Sequence, residues 1–334
     1  MKLLVIGGSQ FVGRHLVEQA VARGDQVTVF NRGKTATSWP SCVEQRQGDR
    51  KGDLAVLAEG QWDAVVDTCG YLPRDVARMA ARLRGRVGRY VFVSSISVYA
   101  GFEQPNHEGS ALGCIDDGDT DVVDGRTYGP LKALGERAVV DAFGDRALLI
   151  RPGLIVGPHD PTQRFTYWPA RVARAADGEP VLAPGDPRDG IQVIDARDLV
   201  AFMLRAVDQG RSGAFNLTCP PHTLTLGALL QACADAAGCS PQWIWARASE
   251  LERLGLAAWS DLPVWLPAEG EHAAFALADT RAAEAAGLQI RPMAQTVADT
   301  LAWYRGLPNE QQVFSKAGLS PEREAAALAS LLRR

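Results

Sequence analysis

Tyr128 and Lys132 stand four residues apart in TYGPLKALGERAV, so on a helix they share one face. Pro130 is no obstacle, because a first helical turn tolerates proline. A phenol with an unperturbed pKa of roughly 10 is a poor base at neutral pH. An ammonium a few ångströms away, together with an oxidised nicotinamide, would favour the phenolate and make the tyrosine a usable acid–base group. Ser95 closes the apolar run RYVFVSS, where its hydroxyl can donate to a carbonyl or alcohol oxygen undergoing interconversion. A Y-x-x-x-K spacing is common by chance and gains meaning only from what precedes it in the chain.

What precedes it is VIGGSQFVGRHLV, residues 5–17, an apolar strand running through glycines into a helix-like stretch. Such a turn brings backbone N–H groups and the positive end of a helix close to a phosphate. Gly7 and Gly13 fit that layout, with Ser9, Gln10, Phe11 and Val12 between them. Gln10 stands where the middle glycine of G-x-x-G-x-x-G is expected, and its amide would cover a pyrophosphate. A tight strand-to-helix turn without a ligand is the alternative. The second strand ends 24 residues after Gly7, in FNRGK (30–34), where a ribose-reading side chain belongs. An acid there would suit NAD. The chain instead presents neutral Asn31, then Arg32, with Lys34 close behind, and a guanidinium can grip a 2′-phosphate with two parallel bonds. NADP(H) is therefore favoured over NAD(H), the alternative being a solvated basic turn. In GDR (48–50), Asp49 can accept from an adenine amine, with Arg50 beside it, or is an ordinary turn aspartate.

These residues need a scaffold, and strand-length apolar runs recur at 3–7, 26–30, 64–69, 89–95 and 147–156, separated by helix-length segments. Continuous Val/Ile/Leu runs mark strands buried on both faces, so the expected fold is α/β, a doubly wound parallel Rossmann sheet. From about residue 157 proline and glycine cluster and the alternation fades. A smaller C-terminal α/β substrate lobe is expected over about 158–188 and 219–305, with 1–157 and about 189–218 forming the dinucleotide-binding domain. In this reading 191–204 rejoins the sheet as a strand before a helix, and 212–218 adds another strand. Residues 306–334 are a linker and a C-terminal helix starting at Ser320-Pro321.

With 334 residues, 46% hydrophobic, a net charge of −4 and a pI near 5.8, the chain reads as a soluble globular protein without a nucleic-acid footprint or membrane patch. Its six cysteines form no C-x-x-C pair and carry no metal-ligand spacing, so no metal is expected. The start MKLLVIGG is too short for a signal sequence, and a cytoplasmic location is the expectation. The sequence leaves open whether the chain pairs into a homodimer.

Taken together, the motifs resemble the extended branch of the short-chain dehydrogenase/reductase superfamily, the NAD(P)-dependent epimerase/dehydratase-like proteins. Residues 6–13 map onto the branch's T-G-G-x-G-F-[IV]-G loop, Ser94–Tyr99 onto S-S-x-x-V-Y, and Arg151–Pro158 onto R-P-x-x-[IV]-x-G-P. The resemblance implies that Ser95 rather than Ser94 or Ser97 is catalytic, beside Tyr128 and Lys132. It also implies that Thr68, Gly70, Pro152 and Leu154 border the cofactor. Two departures narrow the function. Ile96 and Ser97 stand where dehydratases of the branch carry Asp-Glu, and Leu154 stands where sugar-nucleotide enzymes tend to carry Asn. The substituted loop glycine and the F-N-R-G turn are similar to a divergent subgroup that includes reductase-like bacterial proteins and plastid stem-loop RNA-binding proteins.

On the substrate side, Ser97, His159, Tyr167, Arg188 and Gln192 are candidates, each with a structural alternative. The acidic connection 96–127 either shapes the pocket or is a solvated loop. Trp243, Trp245, Trp259 and Trp265 are expected to fill the small lobe's core. The leading expectation is an NADP(H)-dependent reductase or dehydrogenase of a small-molecule ketone or secondary alcohol. A sugar or sugar-nucleotide epimerase would use the same residues, and a non-catalytic nucleotide-sensing or RNA-binding protein could use the same fold.

Overall fold

In the computed structural model, which describes residues 1–35 and 37–333, seven parallel strands form the central sheet. In chain order the sheet and its helices begin with β1 (Lys2–Ile6), α1 (Phe11–Ala22), β2 (Gln26–Asn31), β3 (Glu44–Gln47), β4 (Trp62–Asp67), α2 (Pro73–Leu83) and β5 (Val87–Val93). They continue with α3 (Tyr128–Phe143), β6 (Ala147–Pro152), β7 (Leu154–Val156), α4 (Tyr167–Val172), β8 (Pro180–Pro184), β9 (Val193–Asp195), α5 (Ala196–Asp208) and β10 (Gly213–Leu217). The sheet order is β10-β6-β5-β4-β1-β2-β3, every pairing parallel. Strand order reverses between β1 and β4, so a crevice opens at their carboxyl ends, where α/β sheets bind ligands.

Two apolar layers enforce this arrangement. Leu16, Val17 and Ala20 of α1 and Leu199, Val200 and Met203 of α5 cover one face. Val76, Met79 and Leu83 of α2 and Val139 and Phe143 of α3 cover the other. Residues 3–6, 64–67 and 90–92 of β1, β4 and β5 are almost wholly buried, which is why these strands read as unbroken apolar runs.

The run 147–156 is not one strand. Pro152 and Gly153 interrupt it, the first lacking an N–H donor and the second pressed against Thr218, where a Cβ would come within 2.9 Å of Oγ1. The chain turns there, and β7 pairs only with β9. The segment 191–204 therefore does not rejoin the main sheet as a strand, contrary to expectation. It enters a separate two-stranded pair and continues into α5, whereas 213–217 does add β10 to the sheet's edge.

The second lobe is built on β8 and its parallel partner β11 (Gln242–Ala246), with α4, α6 (Leu226–Ala237), α9 (Met293–Arg305) and α10 (Pro321–Leu331); between them lie the short α7 (Ala248–Arg253) and α8 (Arg281–Ala285). Trp168, Leu229, Leu230, Cys233, Trp265, Val297 and Leu328 form its core. The Ser320 hydroxyl caps α10 by accepting from Arg323 N. Glu324 then anchors the helix from a buried position, accepting from Arg171 Nε at 2.5 Å and Leu182 N at 3.1 Å. Removing either partner would leave an uncompensated buried charge. Among the described residues no helix is long and apolar enough to cross a membrane, and no group of His, Cys, Asp or Glu is placed to hold a metal.

Candidate active site

One cleft of about 1770 Å³ opens over the carboxyl ends of β1, β4 and β5. That exceeds the roughly 300–1,000 Å³ of an ordinary small-molecule pocket and leaves room for a dinucleotide and a second ligand. Ser95, Tyr128 and Lys132 line it together with Ser9, Arg32, Asp49, Thr68, Pro152 and Leu154.

At one end lies the loop between β1 and α1. Gly7 takes a φ of 108°, a left-handed conformation that favours glycine, and a side chain there would overlap Thr68. Gly13 packs helix on loop so closely that a Cβ would come 2.6 Å from Gly8 N. Phe11 is also left-handed, at a φ of 40°, with its ring buried and edge-on to His15. Gln10 starts α1 but makes no side-chain cap, so the first N–H groups of this 12-residue helix are left for a ligand. Its amide donates instead to Thr35 Oγ1 at 3.4 Å, and so it ties the loop to the β2 turn rather than folding over the phosphate position. Asn31 locks that turn: its amide donates to Ser9 Oγ at 2.9 Å and its oxygen accepts from Gly33 N at 2.9 Å. The side chains of Arg32 and Lys34 are exposed beside it, and their charged ends have no partner among the described residues. A glycine-lined helix N-terminus beside uncommitted cations fits the phosphate chain of a dinucleotide.

Two other cofactor candidates are engaged elsewhere. Arg50 donates both terminal nitrogens to Asp67, at 2.8 and 2.9 Å, and Tyr90 donates to the same carboxylate at 2.9 Å. Burial would raise the Asp67 pKa, but Arg50 and the surrounding donors keep it below the usual range. Arg50 is thus a buried structural ion-pair partner that borders the cleft. Asp49 accepts from Lys51 N at 2.9 Å, closing a turn, and stays exposed at the rim. Thr68 donates to Ile6 O at 2.9 Å, holding the ends of β1 and β4 together.

The chemical end is built where α3 meets the turn after β5. Ser95 Oγ accepts from Ser97 N at 3.1 Å and donates to Ser97 Oγ at 3.1 Å. Gly129 lets α3 lie directly on this turn, since any Cβ there would overlap the Ser97 carbonyl oxygen. Tyr128 thereby comes within reach of Ser95. Packing around the phenol pushes its pKa up to about 12: burial dominates, Tyr71 adds, and the hydrogen bond with Ser95 and the charge of Arg164 oppose. This corrects the expectation of a lysine-lowered phenol. Lys132 Nζ is turned away, donating to Gly70 O at 2.8 Å and Val93 O at 2.6 Å. An ammonium has three donors, so one remains. Nζ lies over the rings of Phe92 and Tyr71, at 4.7 and 5.3 Å from their centroids, and burial brings its pKa down to about 8. Gly70 therefore takes part through its carbonyl, beneath the lysine and outside the cleft lining.

Of the substrate candidates only Ser97 lines the cleft. His159 is wedged between His15 and Trp303 with ring centroids 5.6 and 5.2 Å away. Tyr167 is wholly buried in the second lobe's core. Arg188 is exposed and paired with Asp186 at 2.8 Å, and Gln192 is buried with its amide donating to Cys219 O and Ala278 O. Each has a local partner that explains its position. Sequence reasoning missed Tyr71, Phe102 and Phe275, and it put Trp259 in the lobe's core although that ring lines the cleft. The only sequence signal near any of them was the unusual Asp67–Gly70 segment preceding Tyr71.

Residues 64–218, which hold all three chemical candidates, match the model of the NAD dependent epimerase/dehydratase family. Over this stretch, a little under half of its length, the chain is similar to that family. It is 26% identical over 258 residues to the chloroplast stem-loop binding protein of 41 kDa b of Arabidopsis thaliana, covering 71% of this chain and 63% of that protein. It is 31% identical over 184 residues to 2-alkyl-3-oxoalkanoate reductase of Stenotrophomonas maltophilia, covering 48% of this chain and 52% of that enzyme. The chain thus spans less than two thirds of the length of either curated relative. Among solved structures, the Bordetella bronchiseptica enzyme WbmH in complex with NAD+ superposes with a TM-score of 0.67 at 18% identity, over 91% of this chain and 98% of that one. That likeness is one of fold.

Proposed function

We propose that this chain is an NADP(H)-dependent oxidoreductase that interconverts a ketone and a secondary alcohol on a small molecule. The observation that carries the reading is the meeting of Ser95, Tyr128 and Lys132 in the same cleft as the glycine turn and Arg32. Gly7, Gly13 and the N-terminus of α1 would hold the pyrophosphate, Asn31 shapes the ribose turn, and Arg32 with Lys34 would take a 2′-phosphate. Bound there, a nicotinamide dinucleotide would supply or accept the hydride. Ser95 orients the substrate oxygen by hydrogen bonding. Tyr128, protonated across the physiological range, gives that oxygen its proton during reduction. Lys132 uses its remaining donor and its charge to hold the site's geometry. The reductase name of the Stenotrophomonas relative supports this direction.

In this reading residues 1–157 and about 189–218 carry the dinucleotide, about 158–188 and 219–305 shape the substrate end, and 306–334 link and dock. An epimerase would use the same three groups with a transient ketone and recycled coenzyme. Stoichiometric loss of NADPH absorbance on adding a ketone substrate supports the reductase; turnover with no net loss overturns it. RNA binding, which the Arabidopsis relative's name attaches to that protein, finds no basic field here, with 35 Lys and Arg against 39 Asp and Glu. Stem-loop binding at physiological salt would reverse that judgement.

Coenzyme choice gives a separate test. Arg32→Ala is expected to weaken NADPH binding by about 10- to 100-fold, the range of a charge-assisted pair of roughly 1.5–3 kcal/mol, and to leave NADH binding within about twofold. Equal losses for both coenzymes in a calorimetric titration would remove Arg32 from phosphate recognition. The pH profile follows from Lys132. Its ammonium is charged below about 8 and neutral above, so kcat/KM for reduction should be highest below that value and fall as pH rises through it. Lys132→Arg keeps the charge and should lose this alkaline limb, although at a lower overall rate. An unchanged limb in that variant would assign the titration to another group.

A further inference from the structure

The cleft wall built by residues 97–126, 161–164 and 258–275 is made of unlike parts. Phe102 and Phe275 sit with ring centroids 5.1 Å apart, and Trp259 meets Phe275 edge-on at 5.4 Å. Phe102 O accepts from Ala274 N at 2.7 Å, which pins the loop after Ser95 to the second lobe. Phe102 and Phe275 also pack against the small apolar cluster that contains Ile96 and Val98, which joins the aromatic wall to the serine turn. Leu266 and Ala258 extend it.

Arg164 lies within this wall with its guanidinium carbon 5.7 Å from the centre of the Trp259 ring. Among the described residues its guanidinium has no hydrogen bond and no ion pair. Arg50, Arg151, Arg171 and Arg197, by contrast, each grip a carboxylate. Asp160, whose pKa burial raises against the opposing charge of Arg164, keeps Oδ1 on Thr162 N at 2.8 Å. Arg164 is close enough to Tyr128 to favour its ionised form. An open planar fork beside an acid–base group, backed by a tryptophan face, suits a carboxylate. A diphosphate suits it less, because this wall carries Glu103, Asp121, Asp124 and Glu271 against only Arg126 and Arg164.

We propose that the substrate is a monocarboxylate with an apolar body: Arg164 takes the carboxylate, Phe102, Trp259 and Phe275 hold the hydrocarbon, and the ketone lies at Ser95 and Tyr128. This rests on the oxidoreductase reading for the last clause only. The reaction balances as a hydride from NADPH to the carbonyl carbon and a proton from Tyr128 to its oxygen, giving a hydroxy acid and NADP+.

The test separates binding from chemistry. Octanoate and methyl octanoate are titrated by calorimetry into the NADPH-loaded protein and its Arg164→Gln and Arg164→Lys variants, and 3-oxooctanoate and its methyl ester are assayed for NADPH oxidation. The acid should bind the wild type at least tenfold more tightly than the ester. Arg164→Gln should abolish that preference with ester and NADPH affinities within about twofold, and Arg164→Lys should keep part of it. Equal affinities for acid and ester, no binding of either, or a preference that survives in Arg164→Gln overturns the proposal. If octanoate binds through Arg164 but 3-oxooctanoate is not reduced, the site stands and the oxidoreductase reading falls. If the oxo ester is reduced and the oxo acid is not, the reading stands and the carboxylate site falls.

Discussion

Tyr128→Phe is expected to lower kcat for ketone reduction by about 10²–10⁴-fold, the range of one positioned proton donor, while NADPH affinity stays within about twofold. The variant removes one oxygen and keeps the ring that packs near Tyr71, at a centroid distance of 6.5 Å. Folding is therefore preserved, and the loss reports chemistry. Because burial sets the phenol at about 12, the wild type keeps this donor protonated throughout the accessible alkaline range. Tyr71→Phe is the matching control, since Tyr71 adds to the Tyr128 shift without a position beside Ser95. A Tyr128→Phe enzyme with wild-type single-turnover rates would transfer the acid role elsewhere and remove the central residue of the proposed mechanism.

The second large effect is expected at a residue with no chemistry of its own. Gly129→Ala would put a methyl group on the Ser97 carbonyl oxygen, so α3 or the turn after β5 has to move. Backbone on one side and a buried strand end on the other leave no flexible side chain to yield. A displacement of about 1 Å between Tyr128 and Ser95 is enough for roughly a 10²-fold loss in kcat/KM, and overpacking adds a destabilisation of about 1–3 kcal/mol. Gly190→Ala is the comparison, because a Cβ there meets nothing within 4 Å. Thermal melts and initial rates on the two variants distinguish them: full activity in Gly129→Ala would mean that the helix–turn contact does not set the catalytic geometry.

The parts of this molecule that were legible in advance are those where one residue type has one physical use. β1, β4 and β5 announce themselves because burial on both faces demands uninterrupted apolar residues. α10 does so through Ser320, Pro321 and Glu322, which cap, preform and charge its first turn. β3 does not: Glu44–Gln47 reads EQRQ, mostly exposed at the sheet's edge, and its strand conformation comes from pairing with β2. The split at Gly153 was hidden for a similar reason, because apolar residues continue on both sides while the chain changes partners. In the candidate site, spacing put Tyr128 and Lys132 on one helix face and the strand end pointed to Ser95, and all three line the cleft. Spacing could not reveal that Lys132 Nζ bonds to two carbonyls, or that Arg50 belongs to Asp67, since both facts depend on residues from separate strands. The aromatic wall was illegible because Phe102, Trp259 and Phe275 come from distant loops whose meeting only the tertiary fold decides.

The placement of β10 and α5 has a consequence for how the molecule is made on a ribosome. Residues 1–157 emerge first and contain the glycine turn, Ser95, Tyr128 and Lys132, yet the apolar flank of α1 waits for α5, and the free edge of β6 waits for 213–217. Roughly sixty further residues, including the first stretch of the other lobe, separate β6 from its partner strand. The nascent chain therefore carries all three proposed catalytic groups on an unfinished sheet, with an open strand edge of the kind that invites wrong pairing. Such long-range closure predicts slow folding, and a fragment ending near residue 157 would expose the hydrophobic surface that α5 normally seals. The sheet is thus continuous in space and interrupted in sequence, because α5 and β10 both follow α4 and β8 of the second lobe.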